Sequence, residues 1–261
     1  MDQEDDVSEW VSIADARELP GLRLVLLRGL PSPWSVAARA IFELKRVPFV
    51  KVQRSEQDIP DALREWTGQD SFPAAMYEDE RPRSGWAEIL LLAERLGARP
   101  RLIPDDPYDR AFMFGLAHEI CGEMGLAWSR RLMGLAARLR TDASDPGDLE
   151  FARKYGSSPG EMKSATGRVV DVLRLLAVQL RRQHDAGREF LVGETLSAAD
   201  IYWATFCNLI SPLPDDQLPL AAEVRKGFTA DDPQVRLALD PLLIEHRDTI
   251  YQEYLQLPVE L

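Results

Sequence analysis

A strand, a helix and a second strand follow one another between residues 22 and 53, and this β-α-β order constrains the fold more than any other feature. Leu22-Arg23-Leu24-Val25-Leu26-Leu27 is a short β-rich run with Pro20-Gly21 before it and the turn Gly29-Leu30-Pro31-Ser32-Pro33 after it. From Trp34 to about Lys45, Val36, Ala37, Ala40, Ile41 and Leu44 recur at helical spacing, while Arg39, Glu43 and Arg46 fall on other faces. Val47-Pro48 ends that helix, and Phe49-Val50-Lys51-Val52-Gln53 alternates as a strand does. Such a unit predicts a parallel pair with a right-handed crossover. A short helix over Ile59–Trp66 follows, then a strand over Ala74–Tyr77 entered through Ser71-Phe72-Pro73. The polar turn Glu78–Pro82 leads to a weak last strand, and Trp86–Leu96 is a helix with the stripe Trp86, Ile89, Leu90, Ala93 and Leu96.

The character then changes. Gly97 to Pro107 contains three prolines and one glycine, a linker composition. Beyond it, residues 108–140, about 160–186, 197–210 and about 233–254 carry helical periodicity, with no convincing strand. The expected layout is an acidic N-terminal extension over 1–20, an α/β domain over 21–97, a linker over 98–107 and an all-helical domain over 108–261.

A net charge of −12 repels phosphate backbones and anionic lipid, so nucleic acid and membrane surfaces are poor partners. It leaves room for a small anion at a helix N-terminus. Arg23, Arg28, Arg39, Lys45, Arg46, Lys51 and Arg54 make residues 21–54 locally basic, and solvated surface charge is the ordinary reading of most of them. No apolar run approaches the roughly 20 residues that cross a bilayer, and the acidic start Met1-Asp2-Gln3-Glu4-Asp5-Asp6 is unlike a targeting segment, so a cytoplasmic location is expected. The two cysteines, Cys121 and Cys207, lie in apolar helical stretches and read as small core residues. His118, His184 and His246 lie far apart without metal-ligand spacing, and no metal is expected. Trp10, Trp34, Trp86, Trp128 and Trp203 read as core or interface residues first.

Four local features, taken in order, carry a resemblance. Ser32-Pro33-Trp34-Ser35 stands at the junction of the first strand and first helix, Phe72-Pro73 precedes a strand, and Ser84-Gly85-Trp86-Ala87-Glu88-Ile89 opens a helix. Phe190-Leu191-Val192-Gly193 is followed by Leu196-Ser197-Ala198-Ala199-Asp200-Ile201. Together they resemble the glutathione transferase superfamily, over residues 22 to about 210. That resemblance implies an α/β thioredoxin-like N-terminal domain plus an all-α C-terminal domain, glutathione as co-substrate, and a homodimer. The last feature also has a physical reading without the family: Ser197 as N-cap and Asp200 at N3 form a reciprocal capping box.

The chemistry rests on the first feature. A thiol that titrates at about 8.5 must be held as thiolate near neutrality, which a donating hydroxyl and the positive end of a helix both favour. The resemblance makes Ser32 the catalytic thiolate stabiliser, with first-turn amides at Trp34 and Ser35 beside it and Ser35 as a second candidate donor. The alternative for Ser32 is a turn residue or N-cap. Phe72-Pro73 resembles the family's cis-proline pair, whose preceding residue offers its backbone N–H and C=O to the cysteinyl part of glutathione; the alternative is a plain turn into a strand. At the positions where the family presents Glu or Gln and then Ser to the γ-glutamyl group, this chain has Ser84 and Gly85. Gly85 is expected to leave a free N–H for a carboxylate, and the ligand's ammonium must pair elsewhere, with Glu88, Asp70 or the other subunit. Phe114, His118 and Cys121, with Met124, share one helical face where the family builds its second-substrate pocket.

Three functions follow as expectations. The first is transfer of a glutathione thiolate to a small, largely apolar electrophile. The second is a non-catalytic binding or interaction protein with a degenerate glutathione site, and the third a glutathione-dependent isomerase or lyase. Thiol-exchange reduction needs a cysteine nucleophile, and both positions of the would-be Cys-x-x-Cys are serine.

Overall fold

A computed structural model describes residues 10–53, 61–141, 145–154 and 158–261. It divides into two compact units, residues up to Pro100 and those from Arg101 to Glu260.

The first unit runs α1 (Ile13–Ala16), β1 (Leu22–Val25), α2 (Pro33–Leu44), β2 (Val50–Val52), α3 (Ala62–Thr67), β3 (Ala74–Tyr77) and α4 (Trp86–Leu96). Its sheet has the order β2-β1-β3, with β1 parallel to β2 and antiparallel to β3. Every residue of the central β1 is buried, the pattern of a strand covered on both faces. Val25 belongs to a cluster with Ile13, Ala16, Val52, Ala62, Leu63 and Ala74. Alternation sends Leu24 to the opposite face. Helices α2 and α4 pack on each other, and both bury small and branched residues, among them Ala37, Ile41, Ile89 and Ala93.

Several expectations are corrected here. The weak last strand is reduced to a single bridge, Ala75 to Arg83. Helix α3 starts at Ala62, and positions 59 and 60 of the anticipated helix lie outside the described residues. Residues 10–19 are no loose extension: Val11 bridges Val52 in parallel, its N–H donating to the Lys51 carbonyl at 3.0 Å. Ser12 caps α1 by accepting from Asp15 N at 3.0 Å, and Ile13 is fully buried. Burying such a side chain stabilises by roughly 1.5–3 kcal/mol.

The locally basic stretch is solvated only in part: Arg28 and Arg46 are exposed, as expected, but four others are not. Arg23, Arg39, Lys45 and Lys51 are buried. Arg23 donates to the carbonyls of Gly21 and Glu78 and lies 5.9 Å from the Trp66 ring centre. Lys45 Nζ donates to Glu94 and to the Pro100 carbonyl, both at 2.8 Å. Lys51 sits over Trp10, as does the exposed Arg28. Arg23, Lys45 and Lys51 thus satisfy backbone carbonyls, a carboxylate and aromatic faces, which offsets their desolvation. Arg54 lies outside the described residues.

The second unit contains α5 (Pro107–Cys121), α6 (Leu126–Thr141), α7 (Pro146–Lys154), α8 (Pro159–Asp185), α9 (Ala198–Cys207), α10 (Ala222–Phe228), α11 (Pro233–Ala238) and α12 (Pro241–Tyr254). The helix expected over 108–140 is broken between α5 and α6. A Cβ on Gly122 would stand 2.3 Å from His118 Nδ1, and one on Gly125 would stand 2.7 Å from the Glu119 carbonyl, so only glycine fits where the chain folds back. The helix expected over 233–254 divides at Leu239-Asp240, where Asp240 caps α12 by accepting from Leu242 N. Helices α7 and α10 were not anticipated. Every residue of α9 is buried, so it runs through the interior between α5 and α12. No described helix is long and apolar enough to cross a membrane.

Candidate functional site

Strand register brings three of the four sequence features to one end of the first unit. Val25, the last residue of β1, pairs with Ala74, the first of β3, so the loop to Ser32 leaves where Phe72-Pro73 arrives. Ala75 bridges Arg83 in antiparallel register, with N···O distances of 2.8 and 3.0 Å, which carries Ser84-Gly85 back toward the same end.

At the first of these segments, Ser32 is the N-cap of α2 and Pro33 occupies N1, where its missing N–H costs nothing. The Ser32 carbonyl accepts from Val36 N at 2.9 Å, but its hydroxyl makes no capping bond. That hydroxyl, half-buried, is not spent on the helix. Trp34 is half-buried in the first turn. Ser35 is buried, and its Oγ accepts from Leu27 N at 3.3 Å, which ties the loop to the helix start.

At the second segment the Phe72–Pro73 bond is cis. The Phe72 side chain packs against the Ile13 cluster, while its N–H and C=O take no backbone hydrogen bond among the described residues. Just before it, Gln69 folds over Ser71, accepting from Ser71 N at 2.6 Å and donating to its carbonyl at 2.7 Å.

The third segment differs from expectation. Gly85 is the N-cap of α4, and its N–H is not free: it donates to Glu88 Oε2 at 3.3 Å. Glu88 Oε1 accepts from Arg81 Nη1 at 2.7 Å. The Arg81 hydrogen bond, with backbone bonds from Gly85 and Ser84, holds the Glu88 carboxyl below its ordinary range against a partial cost of burial. A carboxylate therefore already sits on the amides at this helix start. Ser84 is exposed. Asp70, the other anticipated partner for an ammonium, is paired with Arg64 at 2.7 Å. Residue-by-residue reading missed Arg81, though the Glu at N3 was a legible capping signal.

In the helical unit, Phe114 is half-buried beneath Arg110, whose guanidinium lies 5.4 Å from the ring centre, and His118 is exposed. Cys121 does not share that exposure. It is buried, its thiol donates to the Ala117 carbonyl at 2.8 Å, and burial pushes its pKa far up. It is an interior residue of α5 rather than the wall of an open pocket.

The Ser197-Asp200 motif is more elaborate than a cap. Asp200 is fully buried and its Oδ2 accepts from Ser197 N at 2.9 Å and Ser197 Oγ at 2.8 Å. Its Oδ1 accepts from Leu191 N at 2.8 Å and contacts His246 Nε2 at 2.9 Å. One carboxylate thus joins the 190–197 loop, α9 and α12. Among the described residues no group of three or more His, Cys, Asp or Glu is placed to hold a metal ion.

Comparison of the structure with solved ones returns glutathione transferases of several classes. The chain is similar to a glutathione transferase from Methylobacillus flagellatus solved with glutathione bound, at 16% identity and TM-score 0.62, over 89% of this chain and 95% of that one. It is also similar to glutathione transferase Omega 3C from Trametes versicolor, at 16% identity and TM-score 0.59, over 95% and 92%. A third neighbour is the holo structure of maleyl pyruvate isomerase, a bacterial Zeta-class transferase, at 16% identity and TM-score 0.56, over 88% and 92%. No family profile and no curated protein matches the sequence. The chain has the glutathione transferase fold, a thioredoxin-like domain followed by a helical one.

Proposed function

We propose that this chain is a glutathione-using enzyme that activates the thiolate for attack on a small, largely apolar electrophile. Ser32 is the group that steadies the thiolate: its hydroxyl donates to sulfur while the first turn of α2, at Trp34 and Ser35, supplies partial positive charge. The cysteinyl backbone pairs with the open N–H and C=O of Phe72, led by Pro73, in the manner of an added strand. The γ-glutamyl end is assigned to Ser84 and Gly85, and the second substrate to the side of α5 bearing Phe114 and His118. No metal takes part in this reading. A homodimer in the cytoplasm is the setting the resemblance implies.

The observation that carries the proposal is the Ser32 hydroxyl, left out of helix capping at the one position where such chemistry needs it. The test is calorimetry with glutathione together with turnover of a panel of electrophiles, for the wild type and Ser32→Ala. Conjugation that falls on the order of a hundredfold in Ser32→Ala, with glutathione affinity little changed, supports the role. Equal turnover by both proteins overturns it.

The Glu88 carboxylate on the Gly85 amide favours a second reading, a non-catalytic binding protein whose γ-glutamyl position is filled from within. A flat glutathione titration in the wild type supports it. An isomerase or lyase that uses glutathione as cofactor would need the same thiolate and the same Ser32, and product analysis separates it from a transferase.

A further inference from the structure

Helix α12 presents a stripe with no part in the chemistry above. Leu242, Glu245, His246, Thr249, Ile250, Glu253 and Tyr254 recur at helical spacing and line a cleft of about 260 Å³ against the end of α8 and the loop after it. This is below the roughly 300–1,000 Å³ of sites for drug-sized ligands, so an occupant must be small.

The cleft has an apolar wall, a polar floor and an acidic rim. Phe190 and Tyr254 form the wall, their rings edge to face with centres 6.0 Å apart. Glu189, Glu245 and Glu253 line it as exposed carboxylates. His184, also exposed, is the one basic side chain in the lining besides His246. The Tyr254 phenol is held up, first by partial burial and then by the negative charge of Glu253, Glu189 and Asp200. That places a negative potential over the wall.

His246 supplies the second, independent observation. It is 94% buried, and its Nε2 faces Asp200 Oδ1, an oxygen that already accepts from Leu191 N, so Nε2 is the donor and carries the proton. In the neutral ring Nδ1 is then an acceptor. It takes no hydrogen bond from a described residue, and His246 is one of the residues that line the cleft.

An acceptor on the floor, carboxylates at the rim and two aromatic rings between them match one ligand chemistry. We infer that the α12 cleft binds a small organic ammonium ion, a primary amine carried on a short aromatic or alkyl group. The ammonium donates to His246 Nδ1 and a rim carboxylate while the hydrocarbon lies on Phe190 and Tyr254.

The test is calorimetric titration of the full chain with phenethylamine hydrochloride, against the isosteric alcohol 2-phenylethanol and the anion phenylacetate. The amine should bind saturably, with a Kd on the order of 1 mM, and the alcohol and acid at least about tenfold more weakly. Glu245→Gln and Glu253→Gln should each weaken the amine roughly two- to fivefold without moving the thermal midpoint. Thr249→Trp, at an exposed position of the lining, should abolish binding by filling the cleft. Equal affinity for amine and alcohol, no saturation up to about 20 mM, or undiminished binding by folded Thr249→Trp would overturn the inference. Ser32→Ala should leave amine binding unchanged, which separates this site from the thiol site.

Discussion

The carboxylate of Glu88 lies on the amide of Gly85, Oε2 to N 3.3 Å, and Arg81 clamps its other oxygen at 2.7 Å. The amide that the proposed reading assigns to the γ-glutamyl carboxylate therefore carries a carboxylate of its own. Any anionic ligand end must displace Glu88 or share the site with it, against like-charge repulsion.

Replacing Glu88 by Ala empties those amides and removes the competing charge. Glutathione should bind roughly five- to thirtyfold more tightly, the equivalent of about 1–2 kcal/mol from a helix start and one removed anion. The helix itself loses a cap worth on the order of 1 kcal/mol. Calorimetry on both proteins checks the affinity. An unchanged or weaker Kd means that Glu88 is not in the ligand's way.

Two backbone amides, a hydroxyl and an imidazole converge on the Asp200 carboxylate in the interior. Asp200→Ala leaves these donors buried without an acceptor and should cost about 3–5 kcal/mol. Asp200→Asn preserves the shape and part of the bonding and should fall between. Guanidinium denaturation measures both. A loss below about 1 kcal/mol in the alanine variant would show the hub to be dispensable.

Glu80 accepts from Arg83 and Arg95, and these bonds lower its pKa to about 2. A carboxylate depressed in the folded state adds stability above its unfolded value, about 4.3, and loses it as the pH falls through the folded value. The denaturation midpoints of wild type and Glu80→Gln should differ by a constant amount above about pH 5 and converge toward pH 2. A gap that widens on acidification has the wrong sign. Because Glu80 is partly open to solvent, high salt should narrow the gap.

Burial pushes the Cys207 thiol up to about 12 and Cys121 far above its ordinary value. Neither presents a thiolate at pH 8. A chromogenic disulfide reagent should leave both unmodified in the native protein and titrate both in denaturant. A fast-reacting equivalent in the native state would place one of them at the surface.

What could be read from the sequence was the part written in short-range pattern. The buried run at Leu22, the alanine-rich face of α2, the alternation at Phe49 and the stripe of α4 each announced their element, and helix α4 has the anticipated limits. The Gly122-Gly125 break was not legible, because the glycines are required there by close approaches to His118 and the Glu119 carbonyl that exist only in the folded chain. Helix α10 buries no residue and offered no periodic stripe; Arg225 ties it down by donating to the Leu213 and Leu218 carbonyls. At the site, residue types were legible and occupancy was not: Gly85 looked like an open amide until Glu88 folded back onto it.

The parallel bridge from Val11 to Val52 has a practical side. Strand β2 lies at the margin of the sheet, and the segment around Val11 with α1 is what shields its outer edge. A shortened chain beginning near Pro20 would lay bare a row of unpaired peptide groups beside a cavity where Ile13 had been. Exposed margins of that kind recruit other chains, so trimming this segment invites self-association.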